Sequence, residues 1–381
     1  MWMPLAFVGT AIVFLAMTLV ALWHLRWVRR LPSAAELPAL TRSVRCSVVI
    51  AARDEQARIE QTLRHLLAQR GVELEIIVVD DRSTDRTGDI LQRLAQEDAR
   101  IRVKRVDVMP EGWLGKCHAC DLGANAATGD WILFTDADCW LNPDVMARAV
   151  AAGERDGADH VTLASGLAVR GPGLAASHLL FLMGTANWFS GANRDNGKRY
   201  LGFGAFNLVR APAYRQCGGY GALRLTVLDD VKLGLLLQRA GRRTRAFIGG
   251  DDVEAHWGTN AFSIIKIMEK NYFAALEYRT WMVVAGTGFV VALSAVLVLG
   301  LVSGTVPGLV AALSPLSLIV PGAVLARRLD WSWRNALLVP MMFPVFHYAL
   351  VNSAFRTLRN GGIRWRDTFY PLELLRARGV R

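Results

Sequence analysis

The sequence predicts an α/β protein: a largely parallel sheet with helices on both faces, flanked by apolar segments of membrane-spanning length. Three observations predict it. Two continuous apolar runs end in carboxylates, Ile76–Val79 before Asp80 and Asp81, and Trp131–Phe134 before Asp136 and Asp138. Strand-like and helix-like patterns alternate from residue 46 to residue 165. Residues 3–23, 281–303, 305–326 and 335–355 contain no Asp, Glu, Lys or Arg. A buried parallel strand reads as a continuous β-branched run, and ligands of open α/β sheets bind beyond the carboxyl ends of the strands. Two acidic clusters at two strand ends therefore point to one shared crevice.

The elements follow in order. Residues 3–23 are long enough to span a hydrocarbon core of about 30 Å, and Arg26, Arg29 and Arg30 follow directly. That order, charge after the apolar run, is the reverse of a cleaved signal peptide. It reads as an uncleaved anchor with its C-terminal end in the cytoplasm. A linker with two prolines occupies residues 31–43. Strands are expected at 46–52, 74–80, 101–105, 131–135 and 159–165, and helices at 55–69, 85–98, 116–127 and 142–156, the pattern of a parallel sheet covered on both faces. Residues 174–192 form an apolar helix, either packed in a core or lying at a membrane surface. Residues 261–279 place Phe262, Ile264, Ile265, Met268 and Tyr272 near one helical face, with Lys266 and Lys270 flanking it; this suits a helix in the interface plane or an ordinary packed amphipathic helix.

Four motifs in order resemble a family 2 glycosyltransferase with the GT-A fold, over about residues 44–280. They are the strand from Cys46 running through Ala51 to Arg53, Asp54 and Glu55; the segment Val78–Thr87 with its paired Asp80 and Asp81; Asp136-Ala137-Asp138; and Leu228-Asp229-Asp230 opening a helix. The resemblance implies a GT-A, Rossmann-like mixed sheet with helices on both faces, plus N-terminal and C-terminal transmembrane helices. By it, Ala51, Arg53, Asp54 and Asp81 line the nucleotide site. Asp136 and Asp138 hold the ribose and a Mg²⁺ or Mn²⁺ ion on the diphosphate, with Asp138 as the metal ligand. Asp230 is the general base, with Asp229 where many relatives carry Glu. The Gln/Arg-x-x-Arg-Trp motif of many processive or lipid-linked relatives is missing; the corresponding stretch reads Glu254–Asn260, then Met268–Tyr272. A single sugar transfer is therefore favoured over polymer synthesis. The Gly112–Lys116 segment, with Lys270 and Asn271, resembles a subgroup acting on carotenoid and hopanoid-like lipids.

The chemistry agrees with this reading. Hard divalent cations take carboxylate and phosphate oxygens, and a bound cation neutralises the charge that builds on a departing diphosphate. Lys116, ahead of a helix in Gly-Trp-Leu-Gly-Lys, suits a diphosphate contact, although it lacks the spacing of a P-loop and a surface lysine would look the same. Asp136 and Asp138 are otherwise a solvated turn, and Asp229 or Asp230 a helix N-cap. Cys117 and Cys120 form a CxxC, but a zinc site needs a second pair and cytoplasmic thiols stay reduced.

Composition sets the remaining bounds. The chain has 381 residues, 52% of them hydrophobic, with a formal net charge of +11. The excess of basic residues is read as arginine clusters at a bilayer face, and no nucleic-acid motif is present. The tail after Phe355 holds seven Arg against two acids, which places it on the cytoplasmic side. Four full crossings would place it outside. A re-entrant hairpin at Pro340 and Pro344 would resolve the conflict.

The expected organisation is an anchor at 1–30, a catalytic domain at 44–260, an interfacial helix at 261–280, transmembrane segments at 281–355 and a basic cytoplasmic tail at 356–381. The expected function is an inverting, metal-dependent transfer of one sugar from a UDP- or GDP-sugar to a membrane lipid, at the inner face of the cell membrane. The alternatives are a polyprenyl-phosphate glycosyltransferase and a non-enzymatic multi-pass protein with a degenerate nucleotide-binding domain.

Overall fold

A computed structural model describes residues 2–168, 171–195, 199–256 and 258–380. The chain forms two compact units. One comprises Val28–Ala168, Trp188–His256 and Ala377–Arg381; the other comprises Met1–Trp27, Val169–Asn187 and Trp257–Arg376.

The first unit is built on a nine-stranded sheet in the order β1-β9-β7-β8-β5-β2-β3-β4, with β6 pairing β9. In chain order the strands are β1 (Arg29–Arg30), β2 (Arg45–Ala52), β3 (Glu73–Asp81), β4 (Ile101–Val106), β5 (Trp131–Phe134), β6 (Cys139–Leu141), β7 (His160–Leu167), β8 (Asn207–Arg210) and β9 (Thr244–Ala255). The pairs β2–β3, β2–β5 and β3–β4 are parallel. On its other side β5 pairs antiparallel with β8, and β8 pairs antiparallel with β7. The sheet is therefore mixed.

Val48–Ile50 and Ile76–Val79 are fully buried, because helices cover both faces of a central strand. Those helices are α2 (Ile59–Leu67), α3 (Thr87–Glu97), α4 (Gly115–Ala126) and α5 (Val145–Arg155). A side chain at Gly123 would strike Val49, so α4 sits close on the sheet through its smallest residue. Helix α2 begins four residues later than its apolar pattern suggests. Asp54 takes a left-handed backbone, φ 53°, and its carboxylate accepts from the Thr84 amide at 2.8 Å. The stretch is thereby committed to the β3–α3 loop. The short strands β6 and β8, and the long β9, go beyond the elements read from periodicity.

In the second unit, α1 (Trp2–Leu25) buries Phe7, Thr10, Phe14, Thr18 and Leu25 along one stripe and exposes apolar side chains elsewhere. Among the described residues, four helical stretches are long and apolar enough to cross a membrane: Trp2–Leu25, Thr280–Val302, Val306–Arg328 and Trp333–Arg359. Helix α6 (Pro172–Asn193) has its first part in this unit and its end in the other; α7 (Ala211–Gln216) and α8 (Asp229–Arg239) belong to the sheet unit.

The expected single helix over 261–279 is instead two short ones, α9 (Ser263–Ile267) and α10 (Tyr272–Ala275). Glu277 and Tyr278 then adopt left-handed backbone, which no L-residue helix can continue through. Helix α11 (Thr280–Val302) leads to α12 (Val306–Leu313), a 3₁₀ stretch over Ser314–Leu318 and α13 (Ile319–Arg328). A 3₁₀ turn at Trp333–Leu338 opens α14 (Val339–Arg359), which is one continuous helix. Pro340 lies in its first turn, where a missing amide costs nothing, and Pro344 lies inside it. The basic tail is ordered as the hairpin β10 (Gly362–Trp365) and β11 (Thr368–Pro371), followed by α15 (Leu372–Arg378).

Strands β7, β8 and β9 are tied together by one fully buried imidazole. His160 on β7 bonds Thr244 on β9 through Nδ1 at 3.1 Å and Asn207 on β8 through Nε2. Burial pushes its pKa down to about 4, only partly opposed by the Asn207 bond. The unfolded chain takes up a proton near pH 6.5 while the folded chain does not. Stability therefore falls as the pH drops from about 6.5 toward 4, by about 1.4 kcal/mol per pH unit, and is unaffected above that window. Urea unfolding followed by tryptophan fluorescence should show this slope, and His160→Asn should flatten it.

Candidate active site

The site is assembled where β3, β5, the start of α4, the segment 201–206 and the start of α8 come together. Strand β5 ends at Phe134. The next hydroxyl, Thr135, donates to the Ala205 carbonyl at 2.7 Å, and the Asp136 amide donates to the Gly204 carbonyl at 3.1 Å. These two bonds fix the turn from which Asp136 and Asp138 project. Asp136, Asp138 and Cys139 hold their ligand atoms within 4.8 Å of one another.

Lys116, in the first turn of α4, reaches Asp136 at 2.6 Å and Asp229 at 3.7 Å. Burial opposes its charge, but Asp136, Asp229 and Asp230 outweigh that and hold its pKa well above the usual lysine range. Asp229 is buried and accepts from the Tyr220 hydroxyl at 3.0 Å. Asp230 accepts from the Val231 amide at 2.8 Å and, through its other oxygen, from the Gly204 amide at 2.7 Å. It therefore does more than cap α8: one oxygen serves the helix and the other reaches the segment that carries Asp136.

Two carboxyls stand out electrostatically. Burial, then the neighbouring carboxylates of Asp136 and Glu55, push Asp138 up to about 7. Burial and Asp229 push Asp230 up to about 6, against the pull of Lys116. Displaced carboxyl pKa values clustered at strand ends are what a proton-handling or cation-binding site requires.

The other residues singled out in the sequence divide into two groups. Asp81 lies beside the start of α4: a side chain at Gly115, next to Lys116, would run into its carboxylate. Arg82 pairs with it at 2.8 Å from a left-handed backbone, φ 58°. Asp54 faces the β3–α3 loop, accepting from the amide and hydroxyl of Thr84. Arg53 lies 3.9 Å from Asp54. Ala51 packs against the buried group containing Ile77, Val79 and Ala119. Asp80 anchors the loop, accepting from the Ser83 amide at 3.1 Å and pairing with Arg105 at 3.3 Å. Cys117 and Cys120 are buried free thiols, both pushed up by burial.

Several residues of the site carry no sequence motif. At Gly204 a side chain would sit 2.7 Å from the Asp136 carboxylate and 3.3 Å from that of Asp230, and at Gly202 it would meet the Asp230 carbonyl. The alternation Leu201-Gly-Phe-Gly-Ala-Phe206 is the only signal of this requirement. His256 bonds the Asp138 carbonyl through Nδ1 at 3.0 Å and packs edge-on to Trp140 at 4.3 Å. Trp140 in turn stacks on His65 at 5.5 Å.

Comparisons with known proteins agree with this architecture. The family model for glycosyl transferase family 2 matches residues 47–218. A 4,4'-diaponeurosporenoate glycosyltransferase of Staphylococcus haemolyticus is 28% identical over 208 residues, covering 53% of this chain and 54% of that protein. Its namesake in Staphylococcus aureus (strain USA300) is 28% identical over 193 residues, covering 49% and 50%. The chain thus spans about half the length of the curated relatives it matches. A mannosyltransferase from Pyrobaculum calidifontis, solved in complex with GDP-Man and Mn²⁺, shares the fold with a TM-score of 0.59 at 17% identity, covering 92% of this chain and 98% of that one. The mixed sheet, the acidic clusters and these likenesses lead to one conclusion: the chain has the GT-A fold and is similar over residues 47–218 to glycosyl transferase family 2.

Proposed function

We propose that this enzyme is a membrane-anchored, metal-dependent, inverting glycosyltransferase that moves one sugar from a UDP- or GDP-sugar to a hydroxyl of a membrane lipid. The observation that carries this reading is the convergence of Asp136, from the end of β5, with Asp229 and Asp230, from the start of α8, around Lys116, with Asp138 beside Asp136. Arg26, Arg29 and Arg30 after α1 support a cytoplasmic location for residues 44–260. The carotenoid-directed names of the curated relatives support an apolar acceptor.

The donor set fits a hard divalent cation: two carboxylates close together, with room for phosphate oxygens to complete the shell. Asp138 and Asp136 would hold Mg²⁺ or Mn²⁺, which neutralises charge on the departing diphosphate. Lys116 is a fixed second positive charge beside that position. Asp81 takes the nucleoside part, with Ala51, Arg53 and Asp54 at the same strand ends. Asp230 accepts the proton of the acceptor hydroxyl as its oxygen attacks the anomeric carbon. The bond from that carbon to the diphosphate oxygen breaks on the opposite face, so the configuration inverts. A carboxyl raised to about 6 is still ionised near neutral pH and is a stronger base than an ordinary aspartate. Asp229, bonded to Tyr220 and near Lys116, positions its neighbour.

A panel of sugar nucleotides with membrane lipid extracts, read by mass spectrometry of the lipids, should give a product only with Mg²⁺ or Mn²⁺. Turnover with EDTA present would defeat the metal-dependent reading. Asp230→Asn should lower transfer by about 10²- to 10⁴-fold while nucleotide-sugar binding by calorimetry is retained. Near-normal turnover in that variant would favour a phosphate nucleophile, as in the polyprenyl-phosphate transferases. A cation must displace the proton that Asp138 carries below about pH 7. Mn²⁺ affinity, measured by electron paramagnetic resonance, should therefore fall by about tenfold per unit as the pH drops below 7, and level off above it.

A further inference from the structure

We infer that Arg82, held in place by Asp81, is the group that meets the nucleobase of the donor, and that it selects bases with a keto oxygen at that edge, uracil or guanine, over the amino bases cytosine and adenine. This rests on the sugar-nucleotide reading proposed above, with the nucleoside end at the close of β3. Every contact it uses lies inside the sheet unit.

The last two carboxylates of β3 divide their work. Asp80, 1% exposed, builds the turn: its carbonyl accepts from the Arg82 amide at 3.1 Å and its carboxylate from the Ser83 amide at 3.1 Å. Asp81 holds a side chain. Successive residues of a strand point to opposite faces, so an extended Arg82 would aim away from Asp81. At φ 58° its backbone is left-handed instead, a conformation only glycine takes without cost, and the side chain folds back over its neighbour. Nε donates to one Asp81 oxygen at 2.8 Å and Nη2 to the other at 3.1 Å. Such a two-point pair fixes the plane of the guanidinium as well as its position. Gly115 makes room for it: a Cβ there would collide with the Asp81 carboxylate and lie 3.0 Å from Arg82 Nη2.

Exposure matches that division. The side chain of Asp81 is 6% exposed and that of Arg82 is 19% exposed. A ligand arriving at this strand end therefore touches the guanidinium, and Asp81 acts through it as a positioning residue. A guanidinium offers N–H donors and no acceptor. With Nε and Nη2 turned to Asp81, its Nη1 edge points away from the carboxylate. That edge complements O4 of uracil or O6 of guanine. Cytosine and adenine carry an amino group at the same place, which sets donor against donor, and a mismatch of this kind weakens binding by about tenfold or more.

Calorimetry on the full-length protein with Mn²⁺ tests this, with UDP against CDP, GDP against ADP, and pyrophosphate as the probe that lacks a base. The wild type should bind the keto member of at least one pair about tenfold or more tighter than its amino counterpart. Arg82→Gly, which suits the left-handed backbone, should bring that ratio close to one. Asp81→Asn and Gly115→Ala should lower it in the same direction, while pyrophosphate affinity stays unchanged in all three. A ratio retained in Arg82→Gly, or tighter binding of UDP and GDP by that variant, overturns the inference, because Arg82 would then only shield Asp81. A wild type indifferent to the keto or amino group overturns it as well. Failure of every nucleoside diphosphate to bind would instead overturn the sugar-nucleotide reading itself.

Discussion

One ammonium group holds the site together. Asp136 and Asp138 come from the end of β5 and Asp229 and Asp230 from the start of α8, and like charges about 4 Å apart repel by about 4 kcal/mol at an effective dielectric of 20. Left alone, such a group would protonate or spread. Lys116 enters from the first turn of α4 and pairs with carboxylates on both elements, Asp136 and Asp229. The N-terminal dipole of α8 adds favourable potential for its two aspartates. Even so, burial first and the neighbouring carboxylates second keep the pKa values of Asp138 and Asp230 raised.

The scaffold behind the site is stiff where the chemistry needs it. Asn207, whose carbonyl side meets His160, also donates from its amide nitrogen to the Asp230 backbone carbonyl at 3.2 Å. The start of α8 is thus tied through β8 to the buried imidazole that joins β7 and β9. Thr162 on β7 adds a second tie, accepting from the Phe203 amide at 2.9 Å and donating to the Phe206 carbonyl at 2.9 Å. Buried, fully bonded side chains of this kind restrict movement more than an apolar contact of equal area.

Much of this was legible before any coordinates. The central strands β2, β3 and β5 show themselves because burial on both faces demands unbroken apolar runs, and the acids that follow mark their carboxyl ends. Strand β8 has only four residues, too few to display a period. Strand β9 is interrupted by Gly249, Gly250, Asp251 and Asp252, and its pairing with β7 shifts register at Ser165, so its pattern resembles a loop. The site divides in the same way. Asp136, Asp138, Asp229 and Asp230 are signalled by what precedes or follows them in the chain. Gly202, Gly204 and His256 are required by neighbours distant in sequence, and nothing local announces a contact through space. The 261–279 stretch shows the converse: its apolar face is amphipathic by spacing, yet it folds as two short helices and turns left-handed at Glu277 and Tyr278.

Gly204 has a consequence for how this crevice can change. Its carbonyl accepts from the Asp136 amide and its amide donates to the Asp230 carboxylate, so a single peptide segment positions both carboxylates. Reshaping residues 201–206 would move Asp136 and Asp230 together. The crevice is therefore freer to diversify through side chains around this segment than through the segment itself.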